Sequence, residues 1–353
     1  MARRLVNPIA GAIAALAASA AAASEEPPEQ GLWADISIEI EDEFVFSASD
    51  PDTELNDTFT TIEGDFGLTI GEGFGIRGLA TFEPVKDPQG DRFMEDFGLF
   101  LEEVYVYGRL GRAGLRAGKF NPYFDLANDL APGLYGDDLA GDYELTERLG
   151  AALALPVIGP GDGPGGEIVL HASVFVADRT PLSDSLFSGR GRVQRADGGL
   201  SNTDYPQSVA LAATGEAADT VWNLGARFQN AGGAGEHDET GFVAGLSHMT
   251  EIAGYETQFF AELAHFENFD GEPPSASVAT LAFEIGLADL ALSAAYGLKE
   301  SPGVAASHLA TLSLEGELAE GLTLGAGYQF LDDEGSQSHT LGLLLNYEFS
   351  LGR

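Results

Sequence analysis

The chain is 353 residues long and carries 17 Lys and Arg against 56 Asp and Glu, a formal net charge of −39. So acidic a surface repels phosphates instead of releasing their counterions, which excludes nucleic acid as a partner and favours cations. No cysteine is present, so disulfides and thiolate metal sites are excluded too.

At the N-terminus, "MARR" is basic, residues 5–23 form a short alanine-rich apolar run, and Ala21, Ala22 and Ala23 offer small residues for cleavage before Ser24. A cleaved secretory signal peptide over 1–23 is expected, followed by a polar periplasmic tether over 24–32. Loss of Arg3 and Arg4 with the signal takes the charge to 15 − 56 = −41. No later run approaches the ~18 apolar residues of a membrane-spanning helix. The chain reads as exported but not helically anchored.

From residue 33 to 353 the dominant pattern is period-two alternation. Ile36, Ile38, Ile40, Phe44 and Phe46 alternate with Asp35, Ser37, Glu39, Glu41 and Glu43. Ile62, Phe66, Leu68 and Ile70 follow, then a turn at "GEG" (71–73), then Phe74, Ile76, Ala80 and Phe82. Trp222, Leu224, Ala226 and Phe228 repeat the pattern, as do Leu281, Phe283 and Ile285, and Leu322, Leu324, Ala326, Tyr328 and Phe330. The last segment, "HTLGLLLNYEF" (339–349), sets Leu341, Leu343, Leu345, Tyr347 and Phe349 on one face and Gly342, Leu344, Asn346 and Glu348 on the other.

Connections alternate in length, except that the segment near 157–166 is long where a short one is expected. Short ones are expected near 71–73, 109–113, 217–220, 251–254, 288–289 and 318–321. Long ones are expected near 49–57, 84–96, 122–145, 179–206, 230–239, 268–275, 299–306 and 332–338. The count is about sixteen strands of roughly 9–14 residues, the length that crosses a bilayer at a tilt. A soluble sandwich also alternates, but with strands nearer 5–6 residues. The pattern therefore predicts an all-β chain forming one transmembrane antiparallel β-barrel over 33–353, apolar face to lipid and polar face to an aqueous lumen. Backbone groups in hydrocarbon find no water, so the sheet must close. Segment 339–349 is expected to pair with 33–47.

The signal peptide, the amphipathic strands, the alternation of short turns with long loops and the aromatic final strand resemble Gram-negative outer-membrane porins. "FLEEVYVYGRLGRAGLRAGKFNPYF" (100–124) is similar to a hairpin of porins and porin-like channels. The stretch that follows, "NPYFDLANDLAPGLYGDDLAGDYELTE" (121–147), matches in position and length the porin loop that folds inward and narrows the lumen. Phe349 is followed by "SLGR", whereas porins commonly end on an aromatic, and a Pro-Glu-Phe-Gly-Gly type sequence and a basic phosphate-selective cluster are absent. The resemblance implies an outer-membrane location, contact with lipid and lipopolysaccharide, and a homotrimer. It also implies passive diffusion of small hydrophilic solutes, here with cation preference.

A pore's chemistry is its bore and the charge at its narrowest ring. Asp125, Asp129, Asp137, Asp138, Asp142, Glu144 and Glu147 lie on the 121–147 loop, and Arg77, Arg116, Lys119 and Arg227 are the few basic wall candidates. Porins often set loop carboxylates across from wall arginines, and the resemblance implies that Arg77 and Arg116 face the 125–142 carboxylates in such a transverse field. Asp50, Asp52, Glu54 and Asp57 in "DPDTELND" are weak Ca²⁺ candidates, lacking the glycine and the twelfth-position Glu of an EF-hand. Loosely held Ca²⁺ or Mg²⁺ at lipopolysaccharide is the commoner use of such charge; no other cofactor is implied.

The glycine patterns "GFGIRG" (73–78) and "GDGPGG" (161–166) do not open a helix after a strand, so neither reads as a dinucleotide site. Ser247-His248, Ser307-His308 and Ser338-His339 are adjacent pairs, whose side chains fall on opposite faces of a strand. No enzyme is expected. Three other readings stay open: a substrate-specific channel for a siderophore or other organic ligand, using Tyr123, Phe124 and Tyr135; a barrel enzyme; and a soluble exported β protein.

Overall fold

The computed structural model describes residues 31–352, apart from 72, 160–165 and 234–235. The expected signal peptide, most of the tether and most of the second glycine pattern lie outside the described residues.

Among the described residues sixteen long strands form one antiparallel sheet. They are β1 (Gly31–Ala48), β2 (Asn56–Ile70), β3 (Phe74–Pro84), β4 (Phe97–Leu110), β5 (Ala113–Phe120), β6 (Arg148–Ile158), β7 (Glu167–Ala177) and β8 (Ser208–Ala217). There follow β9 (Thr220–Gln229), β10 (Glu239–Ile252), β11 (Tyr255–Glu267), β12 (Ala276–Leu287), β13 (Leu290–Glu300), β14 (Ser307–Ala319), β15 (Leu322–Asp333) and β16 (Ser336–Leu351). Each strand pairs with its neighbours in sequence, and β1 pairs with β16 from Ala34↔Leu351 to Ala48↔Ser338, which closes the barrel. Two-residue strands at Arg92–Phe93 and Leu186–Phe187 add to the rim from long loops.

The two faces meet the solvents that alternation predicts. On β9, Leu224 is 57% exposed while Asn223 beside it is 1% exposed; on β11 the figures are 63% for Leu263 and 1% for Glu262. Such a distribution is unstable in water and favourable in a bilayer, where the outer stripe meets hydrocarbon and the inner one meets water or polar partners.

Boundaries differ from the sequence reading in several places, three of them at the seam of the barrel. β1 starts at Gly31, two residues into the expected tether. The final strand continues through Ser350 and Leu351, so Phe349 is not its end. The long connection expected near 332–338 is a two-residue turn, Glu334–Gly335, with φ of 55° and 98°. Positive φ at both positions suits the tight hairpin turn whose twist matches the strands. The polar residues on either side are strand, with Asp332 Oδ1 accepting the Gly335 N–H at 2.8 Å.

The core of this molecule is not between sheets. It lies between the inner wall and segment 121–147, where Phe124, Leu126, Leu139 and Leu145 pack with Phe260, Phe266, Val278 and Leu309.

Candidate functional site: a constricted lumen

Segment 121–147 leaves the wall after β5, runs inside the barrel and returns at β6. Its two ends are tied at one point. A bulge in β4 opposite Leu79 and Ala80 turns both Glu102 and Glu103 to the lumen. Glu103 Oε1 accepts the Asn121 N–H at 2.7 Å, and Glu102 Oε1 accepts from Asn121 Nδ2 at 2.7 Å. Asn121 Oδ1 accepts the Glu147 N–H at 2.8 Å. The Glu147 carboxylate takes Lys119 Nζ at 2.6 Å and a bidentate pair from Arg190 at 2.7 and 2.5 Å.

Between these ends two single-turn helices, α1 (Ala127–Leu130) and α2 (Asp138–Gly141), shape the loop. The wall from β9 to β16 holds it. Glu262 accepts the Leu126 N–H and the Tyr143 hydroxyl, each at 2.7 Å. Asn223 Nδ2 donates to the Phe124 carbonyl at 2.7 Å, Gln258 Nε2 to Leu130 at 3.0 Å, and the Leu134 N–H to Ser313 Oγ at 3.0 Å. Arg227 lies between the Phe124 and Phe266 rings, pairs with Glu239 at 2.7 Å and donates to the Tyr143 carbonyl.

Close approach of loop to wall depends on missing side chains. A Cβ on Gly342 would sit 2.0 Å from the Tyr135 hydroxyl, and one on Gly297 2.7 Å from Leu139. Gly225 and Gly327 meet Phe124 and Leu134 in the same way. These glycines occupy inner-face positions on β9, β13, β15 and β16 and form a bed for the loop.

With the loop against that side, open space remains beside β1–β7. A cavity of about 540 Å³ is lined by Arg77, Arg109, Arg116, Asp125, Asp129 and Glu144, with Trp33, Tyr105, Tyr107, Tyr123 and His171 among the other contacts. Arg77 and Arg116 on the wall share this cavity with Asp125, Asp129 and Glu144 on the loop. Arg77 is held bidentately by Asp65 at 2.8 and 2.6 Å, so much of its charge is met on the wall. Arg116 donates to the Asn121 carbonyl at 3.0 Å and lies over the Phe120 ring at 4.8 Å.

The other candidates stand elsewhere. Lys119 is 1% exposed and fixed by Glu147 and Asp178. Asp138 accepts from Gln329, Asp142 pairs with Lys299 at 2.7 Å, and the Asp137 carbonyl receives Ala140 and Gly141 N–H groups within α2. The calcium candidates are dispersed: Asp57 pairs with Arg92, Asp50 caps the turn at 51–53, and Glu54 receives the Ala48 N–H at 3.2 Å. Among the described residues no three His, Asp or Glu stand as a metal site. Ser247 bonds Gln258 inside the barrel while His248 bonds Thr220 outside.

Enclosure by the wall raises the loop carboxylates above their usual range. Burial, then the neighbouring Asp129 charge, lifts Asp125 to about 6. Burial lifts Asp137 to about 6. Burial with Asp137 lifts Asp138 to about 7, and burial with Asp125 lifts Glu144 to about 8.

Sequence reasoning missed Arg109. It was assigned to the turn at 109–113, yet β4 runs to Leu110, and the alternation Glu103, Tyr105, Tyr107, Arg109 continues on the lumen face. It also missed Asn121, whose role depends on the bulge.

No family model matches the sequence, and no curated protein matches it by sequence. Solved structures match it by shape. A Rh. blastica porin variant aligns with a TM-score of 0.58 at 11% identity, covering 90% of this chain and 100% of that one. OpdK of Pseudomonas aeruginosa, solved with vanillate, gives 0.53 at 10% identity over 91% and 99%. A loop-deletion variant of Vibrio cholerae OmpT gives 0.55 at 12% over 90% and 99%. Closed barrel, inward loop and whole-length likeness agree: the chain has the sixteen-stranded fold of the outer-membrane porins.

Proposed function

We propose that the protein is an outer-membrane channel that passes small hydrophilic solutes by diffusion, with a preference for cations. One observation carries this reading: a loop bearing carboxylates lies inside a barrel whose outer face is apolar, and Asp129 and Glu144 border the remaining open space. The loop sets the bore. The acids on it raise the local cation concentration. The net charge of −39 extends that field to both mouths. Lipopolysaccharide contact, loosely held divalent ions and a homotrimer belong to the same proposal.

Planar-bilayer recording in a KCl gradient tests it. The reversal potential should report K⁺ over Cl⁻, and Asp129→Asn with Glu144→Gln should move it toward zero. An anion-selective potential in the unmodified protein would refute the assignment of the loop carboxylates. A second reading, a channel specific for an organic ligand, draws on the aromatic lining at Tyr105, Tyr107 and Tyr123. Saturable block of the current by one ligand distinguishes it from simple diffusion.

A further inference from the structure

The loop after β7 is built into the wall instead of standing free above it. β5 has only 8 residues, and its ladder with β4 ends at Val104↔Lys119, while β4 continues up to Phe97. A strand of that length at a barrel's tilt rises about 18 Å, short of the ~25 Å apolar band. Leu186 and Phe187 supply the missing rung by pairing with Leu99 and Gly98. The Ser188 N–H then donates to the Phe97 carbonyl at 3.0 Å.

The two sides of this segment differ. Outward, Leu186 is 65% and Phe187 81% exposed. The Phe187 ring stands edge-on to Phe82 at 6.2 Å, and Phe82 stacks on Phe97 at 4.8 Å. Phe82 shares a face of β3 with Phe74 and Ile76, which belong to the lipid stripe. The apolar band therefore continues onto the loop. Phe187 has φ of 72°, a left-handed conformation that a bulky side chain holds only where its surroundings impose it. Water gives no reason to turn this ring outward, whereas hydrocarbon does.

Inward, the segment aims Arg190. Ser185 Oγ accepts the Arg190 N–H at 2.9 Å, the Ser183 carbonyl accepts Arg190 Nε–H at 3.1 Å, and the guanidinium lies over the Phe100 ring at 3.8 Å. Its two terminal nitrogens hold Glu147, the end of the inward loop. Lys119, which also holds Glu147, donates to the Leu182 carbonyl at 2.8 Å.

We infer that residues 182–190 form a brace that docks in the outer leaflet of the bilayer and thereby steadies the root of the inward loop. Its partner is the acyl region of the lipid. Leu186 and Phe187 seated in hydrocarbon fix the height of the brace on the wall, and that height sets Arg190 against Glu147. Lipid packing at the brace reaches the bore through this ion pair. The inference rests on the channel reading and adds a lipid contact that holds the pore steady.

The chain has no cysteine, so Phe187→Cys accepts a single nitroxide label. In phosphatidylcholine vesicles the label should collide more with oxygen than with a water-soluble nickel complex, as a label at Leu263→Cys on the lipid stripe should. A label that meets mainly nickel, or one shielded from both by a second copy of the chain, would overturn the docking. In single channels of the full-length protein, Phe187→Ser and Arg190→Gln should each make brief closures about tenfold more frequent, the scale of one lost charge-assisted contact. The two together should do no more than either alone, and Arg190→Lys should recover part of the steadiness. A Phe187→Ser channel as quiet as the unmodified one, or effects that multiply in the double variant, would overturn the coupling and leave the channel reading intact. An unmodified protein that carries no current would overturn the channel reading and the coupling with it, and the label would still decide the docking.

Discussion

At the scale of single residues, the loop carboxylates are where charge and pH meet. Asp125 and Asp137 sit at about 6, Asp138 at about 7 and Glu144 at about 8, all raised chiefly by enclosure. A raised carboxylate is neutral below its folded value and ionised above it. On the proposed reading, cation preference should therefore be full above pH ~8 and fall in steps toward pH ~6, as read from the reversal potential in a KCl gradient. Stability takes the opposite sign. The folded state holds protons that an unfolded carboxylate with a value near 4 releases, so the seated loop is most stable in acid and loses that contribution as pH rises through 6–8. A reversal potential that stays flat from pH 5 to 9 would show that these groups do not set the selectivity. Among the sequence candidates, Asp125, Asp129 and Glu144 reach the cavity and Lys119 does not. Spacing could not separate them, because which side of a folded-back loop faces the opening depends on contacts with strands a hundred residues further along.

At the scale of elements, the strands were readable because each residue meets one of two solvents and the chain records that choice every second position. The seat of the 121–147 loop was not readable in this way. It rests on glycines at inner positions, and a glycine in a strand carries no mark of what approaches it. Phe124, Leu126 and Leu139 look like loop residues in sequence, yet they form the apolar core. The final hairpin shows the opposite error: Asp332, Asp333, Ser336 and Gln337 look like loop because they are polar, but they are paired strand ends. Gly342→Leu tests the seat. The new side chain would occupy the space of the Tyr135 ring, so the loop should detach from β16 while Glu262 and Gln258 keep its middle in place. Single-channel records should then show added low-frequency noise and altered conductance with unchanged barrel content by circular dichroism. A quiet, unaltered conductance would mean that the Tyr135 contact does not fix the bore.

At the scale of the whole molecule, the acidic excess and the inverted burial act together. The outer stripe holds the barrel in the bilayer, the polar inner face keeps a wet path, and the loop narrows it from one side. Barrel closure makes a prediction of its own. Deleting β16 removes the Ala34–Ala48 partner and exposes backbone groups of β1 and β15 together. Unpaired amides in hydrocarbon cost several kcal/mol each. The truncated chain should lose protease resistance in detergent completely, and a stable fifteen-stranded residue would contradict this.

The seam between β1 and β16 also governs timing. β1 finds its neighbour some three hundred residues further along, from Ser338 to Leu351. Neither edge can be sealed until the other is present, so the seam is a contact that only a nearly finished sheet can make.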